Sequence, residues 1–365
     1  MEFFDPSLIT FNGDEVKDIN EILFAKILQT PALDVMHEID EGIKAKKQIL
    51  FMSQLNGMLG AQSGGCDPSD ATNTITPSEK FWDLATISDR LSFCYTTLLP
   101  SFLNYSRKAG VEKPDVTDFV NFIVDQVLSN ALFETVFRNV WFGDTDAATV
   151  TDSPAGVLTT GTNPVYFNKM NGIWKQAFAI VAASSVRKTG DISSGVGITT
   201  RNAEATFALQ KFTATDTTNR VAMNTLQNML TDADMVLRQQ DGLVFHVTQS
   251  VFDQYVKELK AANIAYTTER LENGLFAAKS DGYDVIAVPL WDKIIKAYYS
   301  DGTRYDLPHR AVLGLKSNFR VGTESVGTFN TFDVFYDKKS KNVYVDFELG
   351  LDAKIIFDIQ TQFAY

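Results

Sequence analysis

Near the end of the chain, Gly314-Leu315-Lys316-Ser317 has the residue types of a phosphate-binding loop. Such a loop runs G-x-x-x-x-G-K-[ST], because backbone amides wrap the phosphates and the lysine must follow the glycine directly. Here Leu315 separates the two, and His309 stands where the first glycine belongs. The stretch predicts a strand and a turn instead. Gly195-Val196-Gly197 opens a dinucleotide-type G-x-G-x-x-G, but Thr200 occupies the third glycine position. Ala61-Gln62-Ser63-Gly64-Gly65 approaches a nucleophile elbow, G-x-S-x-G, with alanine for the first glycine and no flanking strand.

The three histidines are no better placed. His37 begins His-Glu-x-x-Glu, which lacks the second histidine of a zinc helix. His246 lies between Phe245 and Val247 and predicts a buried strand position, whereas His309 follows Pro308 in a loop. Asp144, Asp146 and Asp152 invite a calcium reading, yet Thr149 stands where an EF-hand loop needs glycine, so a solvated acidic loop is expected. A lysine and an asparagine beside paired carboxylates would suit an isopeptide bond, and no local pattern marks one. No catalytic, cofactor-binding or metal residue is therefore assigned, no cofactor is expected, and the chain is not expected to be an enzyme.

Composition narrows the classes further. The 365 residues include 45% apolar residues and 27 phenylalanines, enough for about two domains with a large core. The net charge of −12 argues against a nucleic-acid grip through phosphates. Residues 1–43 hold ten acids against Lys17 and Lys26, a net −8, so an acidic arm leads into a nearly neutral body. Two cysteines, Cys66 and Cys94, without a Cys-x-x-Cys, predict neither a disulfide scaffold nor a thiolate zinc site, and fit a reducing compartment. No secretory leader opens the sequence, and no apolar run approaches the ~20 residues of a membrane span.

Hydrophobic spacing orders the elements. In residues 1–45, Ile19, Ile22, Leu23, Ala25, Ile27 and Leu28 predict a helix before Pro31, with a second short one through Leu33, Met36 and Ile39. Residues 46–112 begin apolar and glycine-rich, pass through the polar stretch CDPSDATNTITPSEK, and return as ATISDRLSFCYTTLLPSFLNYSRKAG, predicted helical with a break near Pro100. Asp115 caps a predicted helix to Phe142, roughly 40 Å long at 1.5 Å per residue. A helix is expected in NGIWKQAFAIVAAS. DTTNRVAMNTLQNML, TQSVFDQYVKELKAAN and LWDKIIKAYY predict helices alternating with the strands GLVFHV and YDVIAVP, a packed α/β region. Thr248 or Ser250 is expected to cap the second of these helices. TFDVFY, NVYVDFEL and AKIIFDIQTQF predict three closing strands in an antiparallel meander, with GLD as a turn, Val343, Val345, Phe347 and Leu349 on one face, and Ile355, Phe357, Ile359, Thr361 and Phe363 repeating the pattern.

This order of parts resembles the major capsid protein of tailed phages, whose fold is shared with the herpesvirus capsid floor. GLVFHVTQSVFDQYVKELKAAN, GYDVIAVPLWDKI and RAVLGLKSNFRVGTE are similar to that family's axial stretches, and NVYVDFELGLDAKIIFDIQTQF to its peripheral sheet. QILFMSQLNGMLG also resembles phages of gut Bacteroidetes. The resemblance implies an α+β fold: an N-terminal arm at 1–45, an extended loop and connecting helix at 46–112, a peripheral domain with its spine helix at 113–159, an axial domain at 160–320, and return strands at 321–365. RAVLGL would be a strand, KSNFRVGT a turn, and Lys316 and Arg320 would pair with neighbours or solvent. It also implies pentamers and hexamers in an icosahedral shell, assembled in the host cytoplasm. The shell would enclose double-stranded DNA without sequence-specific binding, with portal, scaffold and cement proteins as further partners and no membrane. A nanocompartment shell of the same fold, an intracellular α/β enzyme with scattered Asp, Glu and His, and a phage tail or connector component are the rival readings.

Overall fold

Two β-sheets organise the residues that the computed structural model describes: 36–43, 46–52, 77–94, 129–147, 164–190, 197–271, 275–324, 332–337, 339–340 and 342–365. The first sheet has five strands. β1 (Glu38–Asp40) runs parallel to β10 (Phe319–Thr323), and β10 pairs antiparallel with β12 (Asn342–Ile355). β12 also pairs with β11 (Phe332–Asp337) and, along ten residues, with β4 (Ala85–Cys94). Outside it stands a two-stranded ribbon of β2 (Lys47–Met52) and β3 (Pro77–Trp82).

The second sheet runs β13 (Thr361–Ala364), β9 (Ala311–Leu315), β5 (Leu243–Val247), β8 (Tyr283–Ala287), β7 (Phe276–Ser280), β6 (Thr268–Arg270). Only β5 and β8 are parallel in it. The chain passes from the first sheet to the second through the helices between β4 and β5, and crosses directly at two places, from β9 to β10 and from β12 to β13. Asn318 ties the crossings together: its side-chain oxygen accepts from Phe357 N at 2.7 Å, and its amide donates to Phe357 O and Gln360 O.

Three helices fill the space beside the first sheet: α1 (Ser129–Phe142), α2 (Ile173–Ala183) and α8 (Pro289–Tyr298). Each contributes one buried tryptophan to a single cluster. Trp141 and Trp291 meet edge-on at 4.6 Å, and Trp174 meets Trp291 at 5.2 Å. Such pairs add about 0.5–1.5 kcal/mol beyond the area they bury. A second core lies against the second sheet under α3 (Ile198–Asn202), α4 (Ala214–Thr218), α5 (Val221–Asp232), α6 (Met235–Arg238) and α7 (Gln249–Ala261). In α7, Val251, Phe252, Tyr255 and Leu259 recur at helical spacing and are all buried.

Several local expectations change. The expected single helix through DTTNRVAMNTLQNML is two, α4 and α5, because Arg220 adopts φ 54° between them. Glu258 of α7 then supplies the missing cap, accepting from Ala222 N at 3.0 Å and Met223 N at 2.7 Å. Ala85–Cys94 is strand, not helix, because its residues pair with β12. Ile39 likewise lies in β1 rather than in a helix. Gly350-Leu351-Asp352 is no turn: β12 runs straight through it. The alternation expected beyond Ile355 breaks at the turn Asp358–Gln360, which leaves Ile359 exposed. Residues 1–35 and 115–128, with the helices expected there, lie outside the described residues, as does the expected break at Pro100; of the helix expected over 115–142, α1 is the part that is described.

Thr248 holds the N-cap position of α7 but makes no capping bond. Asp292, from α8, caps it instead, accepting from Gln249 N at 2.6 Å and Ser250 N at 3.3 Å. Burial raises the Asp292 carboxyl above the usual range even so. Replacing Asp292 by Ala is expected to cost about 1–3 kcal/mol in urea unfolding, since two partly buried amides lose their acceptor. Asn, which keeps one acceptor oxygen, recovers part of that loss.

Candidate functional site

The motif residues resolve into structure. Gly314 sits inside β9, and a Cβ there would lie 2.6 Å from the Phe319 ring. The glycine thus makes room for an aromatic side chain. Lys316–Asn318 is a three-residue turn, and Phe319–Thr323, expected as part of a turn, is β10. Arg320 pairs within the chain, 3.3 Å from both Glu38 and Asp40, so the end of the acidic segment is held on the first sheet. Ser63 lies outside the described residues, as do Gly195, Val196 and Asp152, while Gly197 precedes the short α3. Asp144 and Asp146 are bridged by an ammonium: Lys175 Nζ is 3.0 Å from Asp144 and 3.1 Å from Asp146. Among the described residues, no group of three or more His, Cys, Asp or Glu is arranged to hold a metal ion.

His309 is the most chemically suggestive residue. Its Nδ1 lies 2.9 Å from Ser250 Oγ, and its Nε2 lies 2.6 Å from Gln210 O. A proton on Nε2 donated to that carbonyl leaves Nδ1 to accept from the serine hydroxyl, the orientation of a nucleophile and base. The amides that could stabilise an oxyanion, Gln249 N and Ser250 N, already donate to Asp292. The Ser250–His309 pair therefore reads as a satisfied polar core.

His246 is buried in β5, and neither ring nitrogen has a hydrogen-bond partner among the described residues. Burial, reinforced by nearby His37, pushes it down to about 3, and burial pushes His309 down to about 4. Unfolded, each ring takes a proton near its ordinary 6.5. The unfolded chain then binds more protons below pH 6.5, and stability falls as pH drops. Each ring contributes about 1.4 kcal/mol per pH unit until its own folded value is reached. Glu258, Asp292 and Asp352, raised by burial, oppose this trend in the carboxylate range. Between pH 7 and pH 5, His246→Leu is expected to lose about 2 kcal/mol less than the native chain in urea unfolding. Equal losses would show that His246 does not resist protonation.

What the described surface does carry is a projecting ribbon with a firm base. The β2–β3 ribbon ends at the pair Met52 and Pro77 and is rooted at its other end. Lys80 Nζ donates to Ile355 O and pairs with Asp358, both at 2.6 Å. Trp82 is buried against Gly322 of β10, where a Cβ would strike its ring at 2.7 Å. Asp83 N donates to buried Asp352 at 2.9 Å. Next to the base, Arg90 of β4 grips Asp346 of β12 through two bonds. No helix among the described residues is long and apolar enough to cross a membrane.

Neither protein-family profiles nor curated proteins match the sequence. Solved structures do. A chain of the satellite phage P4 procapsid, a particle that includes size determination (Sid) protein, superposes with a TM-score of 0.51 at 10% identity, over 94% of this chain and 98% of that one. The chain has the tailed-phage major capsid protein fold. A chain of Gordonia phage Cozz (TM-score 0.46, 12% identity, 92% and 86% covered) and one from the capsid of a native GTA particle (0.43, 10%, 92% and 90%) are also similar, and the assignment rests on the first. In the capsid fold of this chain, the β2–β3 ribbon pairs apart from the sheet that holds the long β12, and the second sheet carries the second core.

Proposed function

We propose that this chain is the major capsid protein of a tailed phage, assembling as pentamers and hexamers into an icosahedral shell around double-stranded DNA. The observation that carries the proposal is the match along nearly the full length of both chains to a procapsid structure. Residues 1–45 are the arm that embraces neighbours, and residues 46–112 include the loop that lies over an adjacent subunit, projecting from the β2–β3 ribbon. Residues 113–159 and 321–365 form the peripheral domain, with α1 at the end of its spine helix. Residues 160–320 form the axial domain around the symmetry axes.

The physical logic supports this division. Segments with few contacts of their own cost conformational entropy to order. Repeated around closed rings, the same segments bury surface against identical copies. A net charge of −12 suits a wall that contains DNA without gripping it. Portal, scaffold and cement proteins would complete the particle, which assembles in the host cytoplasm and has no membrane partner.

The test is expression of the full chain followed by sedimentation and electron microscopy. Closed shells or five- and six-membered rings are expected, with nuclease-protected DNA inside particles made during infection. A well-behaved monomer or dimer overturns the proposal, and particles filled with a protein cargo convert it to a nanocompartment shell.

A further inference from the structure

A cavity of roughly 340 Å³ opens between α7, α8 and the segment before α4. Its walls are aromatic: Phe207 packs on Tyr305 at 4.4 Å, and Phe212 on the His309 ring at 4.2 Å. Its floor is the Ser250–His309 pair, whose hydrogen bonds are internally satisfied. Its rim is basic. Lys211, Lys257 and Lys296 are all exposed, and none forms an ion pair among the described residues. Of the two acids lining the cavity, Asp292 is committed to the α7 amides, and Asp253 accepts from Gln249. The volume falls at the lower end of small-ligand pockets, which suits one or two aromatic side chains. The chemistry that complements this cavity is an aromatic group flanked by carboxylates.

The sequence carries such a group. Residues 1–35 hold seven acids against two lysines and open Met1-Glu2-Phe3-Phe4-Asp5, the one Phe-Phe pair of the chain, with an acid on each side. We propose that the lysine-rimmed cavity of one subunit receives the Glu2-Phe3-Phe4-Asp5 segment of a neighbouring copy. The inference rests on the shell reading, in which the first segment lies on adjacent subunits. Phenylalanine rings enter between Phe207, Phe212 and Tyr305, and Glu2 and Asp5 meet the lysines. Charge complementarity selects this segment and sets its register, and ring burial supplies affinity. A heterologous contact of this kind, tail of one copy into cavity of the next, propagates around a ring.

The test uses the full chain with p-benzoylphenylalanine at position 3, assembled from equal amounts of isotopically light and heavy subunits, illuminated, and mapped by mass spectrometry. Links to the segment 207–212 or to Tyr305 are expected, about half of them between light and heavy chains. Lys257→Glu with Lys296→Glu lowers the link yield roughly tenfold or more. Adding Glu2→Lys and Asp5→Lys to that variant restores it. Shells that form with links elsewhere, or only within one chain, overturn the inference and leave the shell reading standing. Absence of shells or rings from the native chain overturns both.

Discussion

Replacing residues 53–76 by an Asn-Gly turn is expected to leave the body folded and abolish particles. Met52 and Pro77 are the last paired residues of the β2–β3 ribbon; Pro77 has no N–H to close a two-residue turn, so the variant also carries Pro77→Thr, and the connection then closes the ribbon without changing register. Among the described residues, the contacts that root the ribbon lie below that cut: Lys80 on Ile355 O and Asp358, Trp82 against Gly322, and Asp83 on Asp352. The expected change in urea unfolding is therefore within about 0.5 kcal/mol, as for surface substitutions away from such features. On the capsid reading, the removed residues supply contacts between subunits, and sedimentation shows no closed shells. A wider cut, from 50 to 85, confounds the two effects. It removes Trp82, only 2% exposed, and truncating a core tryptophan costs about 3–5 kcal/mol by itself. Normal shells from the narrow replacement would remove the extended loop from the assembly mechanism.

The sequence makes the regular elements legible where a pattern is local. The strand Leu243–Val247 and the helices Gln249–Ala261 and Pro289–Tyr298 follow from apolar spacing alone, as does the buried face of Val345, Phe347 and Leu349. It misleads where a partner distant in sequence decides. Ala85–Cys94 is expected to be helical, although Ala85, Ile87, Leu91 and Phe93 alternate with polar residues as a strand does, and ten residues of β12 pair with it. Gly350-Leu351-Asp352 has turn chemistry, but β4 and β10 each pair with Leu351 and hold the strand straight. The caps are invisible for the same reason. Glu258 serves α5, and Asp292 serves α7, from helices 36 and 43 residues away.

No motif marked the candidate cavity either. Phe207, Lys257, Lys296 and Tyr305 come from separate elements, and only the fold brings them together. The acidity of residues 1–43, by contrast, is plain from charge counting. An assembling subunit distributes its chemistry over surfaces that tolerate many residue types, so order and charge carry more of its identity than spacing does.

Arg310→Ala is expected to destabilise the chain by about 3–5 kcal/mol and, on the capsid reading, to prevent assembly. Arg310 begins the passage into β9 and is fully buried. Its guanidinium lies 5.0 Å from the Trp174 ring, 5.3 Å from Phe142, 5.4 Å from Tyr299 and 5.7 Å from Phe178. Nε donates to Leu307 O at 2.8 Å and Nη2 to Asp306 O at 3.3 Å, and no carboxylate among the described residues pairs with it. Burial lowers its pKa, but a guanidinium stays protonated at any ordinary pH. The ring faces are what make that charge tolerable, and desolvated contacts of this kind contribute about 2 kcal/mol or more. Alanine empties the cage, and Leu307, already at φ 46°, loses the donor that holds its carbonyl. Lysine does not rescue, because a point ammonium cannot lie flat between rings while reaching both carbonyls. Methionine separates packing from charge: it refills most of the volume with no cation, so its stability should fall between alanine and the native residue. A methionine variant as stable as the native chain would show that packing alone holds this junction, and the buried cation would then have no part in joining the tryptophan cluster to the second sheet.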